Sequence, residues 1–382
     1  MNTFLSSRQE SERQKYRLFA SERVYPLAEA LERHRVSLKE LLQSCAQDGF
    51  LGLTVAYEYG GQGKSFLDQI LFVEAVSEFA PGLGFTLSAH TTAIELLKRF
   101  GSVEQKAKFL PALAKGDKIG SFALSEEAAG TDLSAVQTVC YRQGDKLILS
   151  GKKVWVANAE FAGVLIVLTR MRDSSDDGQL ALAVVDLAET DKIDISPDRS
   201  TLGLRAAYIN DVEFTGSELV GDNLLAFQAA ETTVEQVRYG LDLSNIQMAA
   251  TAVGMLSGAL NAAADHARQR KQFGKRLGQF QAVQWKLADC SVELDASRLL
   301  TYRAAWSADE NVADLRKNAA MCKWYATKAS RVHVSEAVQI LGSAGVSGDS
   351  LLERFYRDAK MLEICQGTSE LQKIILAEEF AL

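Results

Sequence analysis

FALSEEAAGTD, residues 122–132, marks the point at which this 382-residue chain changes character. A short run of apolar residues ends there in a hydroxyl group and two carboxylates, and a turn containing Gly130 follows. A glycine turn of this kind offers free backbone N–H groups, which suit a phosphate or the edge of a flavin. Taken alone, the stretch is more typical of an ordinary capped turn, so its meaning depends on the sequence on either side.

On the N-terminal side, residues 10–118 have the periodicity of helices. Apolar residues recur at three- and four-residue steps over residues 16–31, and Pro26 predicts a break or kink there. We expect Pro81 and the glycines after it to interrupt the helical pattern, which resumes at residues 93–100. The first 118 residues therefore predict a helical domain.

From residue 119 the pattern changes to short segments rich in β-formers, separated by clusters of Gly, Asp and Ser. The segments lie at residues 137–141, 146–149, 163–169, 180–187, 193–195 and 212–214. Several short strands joined by such turns predict a small barrel or sandwich.

After about residue 230 the helical pattern returns in longer stretches, at residues 243–264, 280–305 and 317–341. The whole chain has only four prolines, which favours long uninterrupted helices. Helices of this length pack well as an antiparallel bundle. The order helical, β, helical is uncommon and restricts the fold.

Composition excludes several classes of protein. The formal net charge is −7 and no long run of Lys or Arg occurs, which argues against a nucleic-acid surface. The five cysteines are scattered without a CxxC pair, so disulfide and zinc frameworks are not indicated. Residues 1–13 do not resemble a signal peptide, and no apolar run approaches the roughly 20 residues that cross a bilayer. We therefore expect a cytoplasmic protein without a membrane span.

Four further segments suit a large planar or phosphorylated ligand, namely WVANA at 155–159, RKQFGK at 270–275, QILGSAG at 339–345 and QGTSE at 366–370. A tryptophan beside small residues can pack against a planar ring, and an arginine at a helix break can bind a pyrophosphate in bidentate fashion. Glycines allow a backbone to approach a ligand closely. Taken singly, WVANA is equally typical of a core tryptophan. RKQFGK is more typical of a solvated basic loop, and the two glycine segments are more typical of plain helix caps.

In their joint order and spacing, FALSEEAAGTD, GKKVWVAN, RKQFGK, QILGSAG, RFYRDAK and GTSELQ resemble the acyl-CoA dehydrogenase family over about residues 16–378. The resemblance implies an α+β multidomain fold. We expect an N-terminal helical domain at 1–118, a middle β-barrel at 119–228 and a C-terminal four-helix bundle at 229–382. It also implies FAD, a homotetramer, an acyl thioester substrate on CoA or an acyl carrier protein, and an electron acceptor, either an electron-transfer flavoprotein or oxygen.

The resemblance further assigns residues to the flavin within one subunit. Those expected along the flavin and its phosphates are Phe122, Leu124, Ser125 and Thr131, with Trp155 and Val156 flanking the isoalloxazine ring. Ala157 occupies a position where relatives commonly have Thr or Ser donating toward flavin N5. Alanine lacks that donor, so we expect altered flavin chemistry.

A second set of residues is implied at the distal half of the cofactor. Those expected to reach the FAD of a neighbouring subunit are Arg270, Phe273, Gln339 and Gly342. Thr368 and Glu370 are expected near the phosphates and ribose.

The catalytic carboxylate of the family is missing from both of its usual positions. One precedes the Gly-Thr turn and holds Gln366, whose amide cannot accept a proton at neutral pH. The other lies in a Leu-Asp-Leu-Glu-Arg-like stretch, where this chain has Ser244 and Asn245. A serine would itself need a base. We interpret Asp242 as structural, because family members whose base lies elsewhere also have it.

Glu235 is a candidate replacement for this base. The stretch 221–239 is longer than in typical relatives, and a helix starting near Thr232 would place Glu235 two turns before Asp242 on the same face. The alternative, which we favour, is a solvated surface residue. His90 lies where relatives line the acyl pocket, and we expect it to be a satisfied core or interface histidine.

The sequence therefore predicts FAD-dependent α,β-dehydrogenation, or oxidation, of an acyl thioester, with the usual carboxylate replaced. The alternative is a flavin-dependent monooxygenase on the same fold, which the changes at Ala157, Ser244 and Gln366 favour without identifying it. A catalytically silent scaffold is the third possibility, and the retained FAD-contacting segments count against it.

Overall fold

A computed structural model describes residues 5–172, 178–219, 223–225, 232–378 and 380. Its first part is helical, as the periodicity predicts. The helices are α1 Ser7–Phe19, α2 Ala28–Glu32, α3 Leu38–Gln47, α4 Phe66–Ser77, α5 Pro81–Phe100 and α6 Val103–Lys115.

Two prolines in this part act differently on the chain. Around Pro26 the helix changes to a π turn and then a 3₁₀ turn before α2 begins, so the predicted break is confirmed. The predicted interruption at Pro81 is wrong, because α5 begins at this residue and continues through both glycines. Proline is tolerated in the first turn of a helix, where its missing N–H has no partner to lose.

The middle part is a curled mixed sheet. Its strands are β1 Ile119–Ala123, β2 Val139–Gln143, β3 Lys146–Ala157, β4 Ala162–Met171, β5 Leu180–Asp186, β6 Ile193–Ile195 and β7 Ile209–Leu219. Hydrogen-bonded neighbours follow the order β1-β4-β2-β3-β7-β6, with β5 against β4. Strand β1 is parallel to β4, and β3 is antiparallel to β7.

The last part is a helical bundle with a small two-stranded hairpin. Its helices are α7 Thr233–Gln269, α8 Gln281–Asp309, α9 Leu315–Leu341, α10 Leu351–Ile364 and α11 Ser369–Glu378, and the hairpin strands are β8 Lys271–Gln272 and β9 Lys275–Arg276. The three-part fold class predicted from the sequence is confirmed.

Helix α7 connects the three parts. Its glycines allow close backbone contacts, because a Cβ at Gly254 or Gly258 would overlap the carbonyl oxygen of Glu74 or Glu78 at the end of α4. Among the described helices, α7 alone is long and apolar enough to cross a membrane by length and composition, but 78% of its most apolar window is buried inside the protein. This burial accounts for the apolar composition of α7 as that of a core helix.

Candidate functional site

Two segments that the sequence assigns to the flavin lie side by side. The N–H of Val154 on β3 donates to the carbonyl oxygen of Ser125, just beyond β1, over 2.8 Å. The hydroxyl of Ser121 on β1 donates to the carbonyl oxygen of Ala157 over 2.5 Å. The predicted residues brought together by these bonds are Phe122, Leu124, Ser125, Trp155, Val156 and Ala157.

A buried ion pair holds the two segments in place. The Nζ of Lys153 lies 2.6 Å from a carboxylate oxygen of Glu126 and 3.1 Å from the carbonyl oxygen of Leu124. Glu126 also accepts hydrogen bonds from the N–H groups of Gln137 and Thr138. Burial lowers the pKa of Lys153 to about 8, against the opposing effect of Glu126. We did not predict this pair, because a lysine inside a strand gives no signal that it points inward.

Trp155 has an unusual backbone and an open ring face. Its φ is +59°, and 51% of the residue is exposed. The guanidinium carbon of Arg199 lies 4.6 Å from the ring centroid and is itself fixed by an ion pair with Asp211. A left-handed backbone in a bulky residue costs free energy, so the surrounding structure enforces it. Trp155 is therefore presented toward solvent rather than packed as a core tryptophan.

The turn after Glu126 leaves space for a ligand. Thr131 is exposed, and a Cβ added at Gly130 would meet no atom within 4 Å. A turn that lies on the surface with open space around its backbone can receive a phosphate without rearrangement.

The second base position, Ser244, lies in the interior between α5 and α7. It is buried, and its hydroxyl lies 3.4 Å from that of Ser88 on α5. One turn earlier on α7, a Cβ at Gly240 would lie 3.1 Å from the ring of Phe122. This contact brings the start of α7 against the β1 segment of the site.

Glu235 takes the role of a helix cap. Helix α7 begins at Thr233 with Thr232 as its N-cap, and a carboxylate oxygen of Glu235 accepts from the N–H of Thr232 over 2.6 Å. The side chain is exposed. This placement agrees with the solvated alternative and gives no support to Glu235 as the base. Residues 221–222 and 226–231, which belong to the stretch expected to be longer than in relatives, lie outside the described residues.

Asp242, which the sequence analysis interprets as structural, is a further carboxylate on α7. It is buried, and in the described part of the chain no hydrogen bond or ion pair reaches its carboxylate. Burial raises the pKa of Asp242 to about 7, while the more distant charges of Arg316 and Arg238 oppose the rise. An aspartate with a pKa near neutrality can exchange a proton at physiological pH.

The first base position, Gln366, lies in a turn fixed by a second buried lysine. Gln366 and Gly367 have φ values of +57° and +102°. The Nζ of Lys323 on α9 donates to the carbonyl oxygen of Gly367 and lies 3.5 Å from that of Glu363. Burial lowers the pKa of Lys323 to about 8. Helix α9, which holds Lys323, packs along α7, so the two base regions lie on adjoining helices.

Thr368 and Glu370 line an open groove of about 510 Å³ at the start of α11. The hydroxyl of Thr368 accepts from the N–H of Leu371, as a helix cap does. The groove holds the basic side chains of Lys328, Arg331, Lys360 and Lys373, and Glu363 forms ion pairs with Arg331 and Lys360. A helix N-terminus among basic side chains suits a phosphorylated ligand.

The residues predicted to reach a neighbouring subunit all lie on the surface. Phe273 is 93% exposed at the tip of the β8–β9 hairpin, and Arg270, Gln339 and Gly342 are exposed as well. The single chain described here does not bring them to the flavin segments, so their role across subunits stays a prediction.

His90 is a satisfied core histidine. Its Nδ1 accepts from the N–H of Gly120 over 3.0 Å, which leaves Nε2 to donate to the carbonyl oxygen of Leu51. Burial lowers the pKa of His90 to about 4, so the ring is neutral. No group of three or more potential metal ligands occurs in the described ranges.

Family models match the chain along its length. The N-terminal, middle and C-terminal domains of acyl-CoA dehydrogenase match residues 6–117, 121–217 and 234–381. A probable acyl-CoA dehydrogenase of Bacillus subtilis and a short-chain specific acyl-CoA dehydrogenase of Clostridium acetobutylicum are each 33% identical, and each alignment covers 99% of both chains.

Solved structures agree with these matches. Butyryl-CoA dehydrogenase from Megasphaera elsdenii superimposes with a TM-score of 0.94 at 29% identity, over 100% of each chain. The prolyl acyl carrier protein oxidase AnaB superimposes with a TM-score of 0.91 at 28% identity, over 99% of this chain and 100% of that one.

The buried pair generates a first prediction. Replacing Lys153 by Met leaves the Glu126 carboxylate buried without its cation, so we expect the free energy of unfolding to fall by about 3 kcal/mol. We also expect weaker FAD retention, measured as flavin content after gel filtration. Lys146→Met is the matched control, because Lys146 lies on the same strand and pairs with Glu218 on the surface. Equal losses in the two variants would contradict the role given to the buried pair.

Proposed function

The chain belongs to the acyl-CoA dehydrogenase family, and on that premise we propose that it is an FAD-dependent enzyme that oxidises an acyl thioester carried by CoA or an acyl carrier protein. The observation that carries the proposal is the junction of β1 and β3, where the hydrogen bond from Val154 to Ser125 aligns both flavin segments. AnaB, a prolyl acyl carrier protein oxidase, supports the inclusion of carrier-bound substrates.

We propose that FAD is held along this junction and in the groove at α11. Phe122, Leu124, Ser125 and Thr131 would line the flavin and its phosphates, with Trp155, Val156 and Ala157 at the ring. Thr368 and Glu370 would hold the distal half. The exposed ring of Trp155, the open turn at Gly130 and the basic groove fit such a ligand. When bound, FAD supplies the acceptor for the hydride that leaves the β-carbon.

The chain itself has to accept the α-proton, and we propose Asp242 as the acceptor. The α C–H bond breaks, its electron pair forms the new C=C bond and the proton moves to the carboxylate. Asp242 is buried on α7, no hydrogen bond or ion pair within the described residues reaches its carboxylate, and its pKa is near 7. Ser244 and Gln366 would act as hydrogen-bonding groups, because neither accepts a proton unaided.

A flavin-dependent monooxygenase is the second candidate. Ala157 favours it, because its side chain cannot donate toward flavin N5, and its carbonyl oxygen is already bonded to Ser121. Neither family base position, Ser244 or Gln366, holds a carboxylate, and this also favours a reaction other than the usual dehydrogenation.

We propose that the protein assembles as a homotetramer. Trp285 and Val292 on α8 are 60% and 70% exposed and lie seven residues apart, which places them on one face of the helix. Phe273 projects from the β8–β9 hairpin, which precedes α8 in the sequence. Large exposed apolar side chains of this kind are typical of interfaces between subunits.

Thioesters provide the direct test of the function. Under anaerobic conditions we expect the visible absorbance of bound flavin to bleach when one member of an acyl-CoA and acyl-carrier thioester panel is added, because hydride transfer reduces the flavin. If no thioester bleaches the flavin but reduced flavin consumes oxygen together with a substrate, the monooxygenase candidate replaces this proposal.

Asp242→Asn tests the base through two measurements. The raised pKa means that the folded chain keeps a proton which the unfolded chain loses between about pH 4 and pH 7, so stability falls as pH rises through that range. Removing the charge should raise the free energy of unfolding by about 1–3 kcal/mol at pH 8 and hardly change it at pH 4. Flavin reduction by the active thioester should slow by roughly 10²–10⁴-fold.

Glu235→Gln serves as the matched control for this variant, because it removes a carboxylate from the same helix at an exposed position. It should leave the rate of flavin reduction unchanged. A normal rate in Asp242→Asn, or a large loss in Glu235→Gln, would reject Asp242 as the proton acceptor.

Phe273→Asn tests the assembly. Asparagine tolerates the positive φ of this position, so the hairpin should fold while the apolar contact is lost. We expect light scattering to show a smaller assembly and the purified protein to retain less FAD. Tyr57→Asn, which removes another exposed aromatic ring in the N-terminal part, is the control. An unchanged mass and FAD content in Phe273→Asn would contradict the proposed interface.

A further inference from the structure

Four polar side chains face one another between α5 and α7. Ser88 and Thr92 are four residues apart on α5, and Ser244 and Gln247 are three residues apart on α7, so each pair lies on one face of its helix. All four residues are at most 1% exposed. We call this set the polar seam.

The contacts within the polar seam are too long to satisfy its groups well. The hydroxyls of Ser88 and Ser244 are 3.4 Å apart, whereas hydroxyl hydrogen bonds usually span about 2.7–2.8 Å. The Nε2 of Gln247 lies 3.4 Å from both the Ser88 carbonyl oxygen and the Thr92 hydroxyl. The Oε1 of Gln247 is buried and has no partner among the described residues. The seam therefore keeps an unused acceptor.

The polar seam lies close to the proposed flavin site. Gly240 on α7 contacts the ring of Phe122, and Ser244 and Gln247 follow one and two turns later. At 1.5 Å per residue, they lie about 6 and 10 Å along the helix from that contact. An acyl chain extending from the flavin along α7 would meet these side chains.

Such a seam is costly in a site for a hydrocarbon chain. A buried polar group without a partner destabilises the folded protein, and apolar residues of similar shape would avoid that cost. The amide N–H groups of Gln247 make only long contacts, and its amide oxygen has no partner within the described ranges. The hydrogen bonding of this side chain is therefore incomplete until another polar group enters the seam.

We propose that the polar seam recognises a hydrogen-bond donor on the acyl group of the substrate, either a hydroxyl or an N–H. The inference rests on the proposed function, since it names the class of thioester that the same site accepts. The donor pairs with Oε1 of Gln247, and the hydroxyls of Ser88, Thr92 and Ser244 complete its environment. An acyl group of this class is small and polar rather than a fatty chain.

Matched thioesters test the preference in the wild-type protein. The first pair is pentanoyl-CoA and 4-hydroxybutyryl-CoA, in which a hydroxyl replaces the terminal methyl group. The second pair is cyclopentanecarbonyl-CoA and prolyl-CoA, in which one N–H replaces one CH₂ of the ring. Each is mixed anaerobically with the FAD-loaded protein, and the rate of flavin bleaching is followed. We expect the donor-bearing member of at least one pair to react about tenfold faster or more, which corresponds to about 1.4 kcal/mol.

Gln247→Leu should abolish this preference, because leucine fills similar space without an acceptor. Thr92→Val gives a second variant should the first not fold, and should reduce the preference in the same direction. Thr251→Val is the control: Thr251 lies one turn further along α7, and its hydroxyl already bonds to the Gln247 carbonyl oxygen over 2.9 Å. It should keep the wild-type ratio.

The outcomes separate the two proposals. Equal bleaching by both members of every pair, or a preference that survives in Gln247→Leu, would overturn the polar seam as a recognition site while leaving the dehydrogenase function intact. A flavin that no thioester bleaches would reject the proposed function itself, and the seam proposal with it.

Discussion

The buried ion pair between Lys153 and Glu126 is the interaction on which the site depends. It joins the residues that follow β1 to the middle of β3, and Glu126 also fixes the backbone leading to β2. Burying both charges is costly, and the additional hydrogen bonds to backbone groups offset that cost. The pair therefore fixes the position of the segment after β1 relative to β3, and this is its main effect.

Lys323 is a second buried lysine that binds an irregular backbone segment, at the turn containing Gln366. It is buried, no carboxylate of the described residues forms an ion pair with it, and its Nζ contacts the carbonyl oxygens of Glu363 and Gly367 on either side of Gln366. Burial lowers the pKa of both lysines to about 8, so part of their charge is lost in mildly alkaline solution. In each case a lysine on a regular element fixes an irregular turn that a cofactor or substrate has to meet. Positive φ values occur at Trp155, two residues after Lys153 on β3, and at Gln366 and Gly367 in the turn that Lys323 binds.

Gly240, Ser244 and Gln247 lie at i, i+4 and i+7 on one face of helix α7, and Asp242 lies on the opposite face. Gly240 contacts Phe122, Ser244 and Gln247 face α5, and the charge of Asp242 is felt at Cys322 on α9. A substrate lying along the α5 face of α7 would meet the polar seam. An acyl group with a polar substituent needs recognition that a fatty chain does not, and a more acidic α-position needs less help from a base.

The amino-acid sequence by itself determined the class of fold and the identity of the residues at the two family base positions. The change of period at residue 119 and its return after residue 230 follow from side-chain alternation, which is a local property. The break at Pro26 was likewise predictable, since proline removes a local hydrogen bond. The start of α5 at Pro81 was not predicted, because proline breaks a helix only in its interior and is tolerated in the first turn.

Only the tertiary structure decided which of these residues lie together. Lys153 reaches Glu126 across 27 positions, Lys323 reaches Gly367 across 44 and Ser88 meets Ser244 across 156. The same folding placed Glu235 in a surface cap and buried Asp242 away from any hydrogen-bond partner among the described residues, although the two lie on one helix. Burial and pairing across such separations depend on how the three parts pack against one another. No periodicity or motif records that packing, because it is set by contacts between segments distant in the chain.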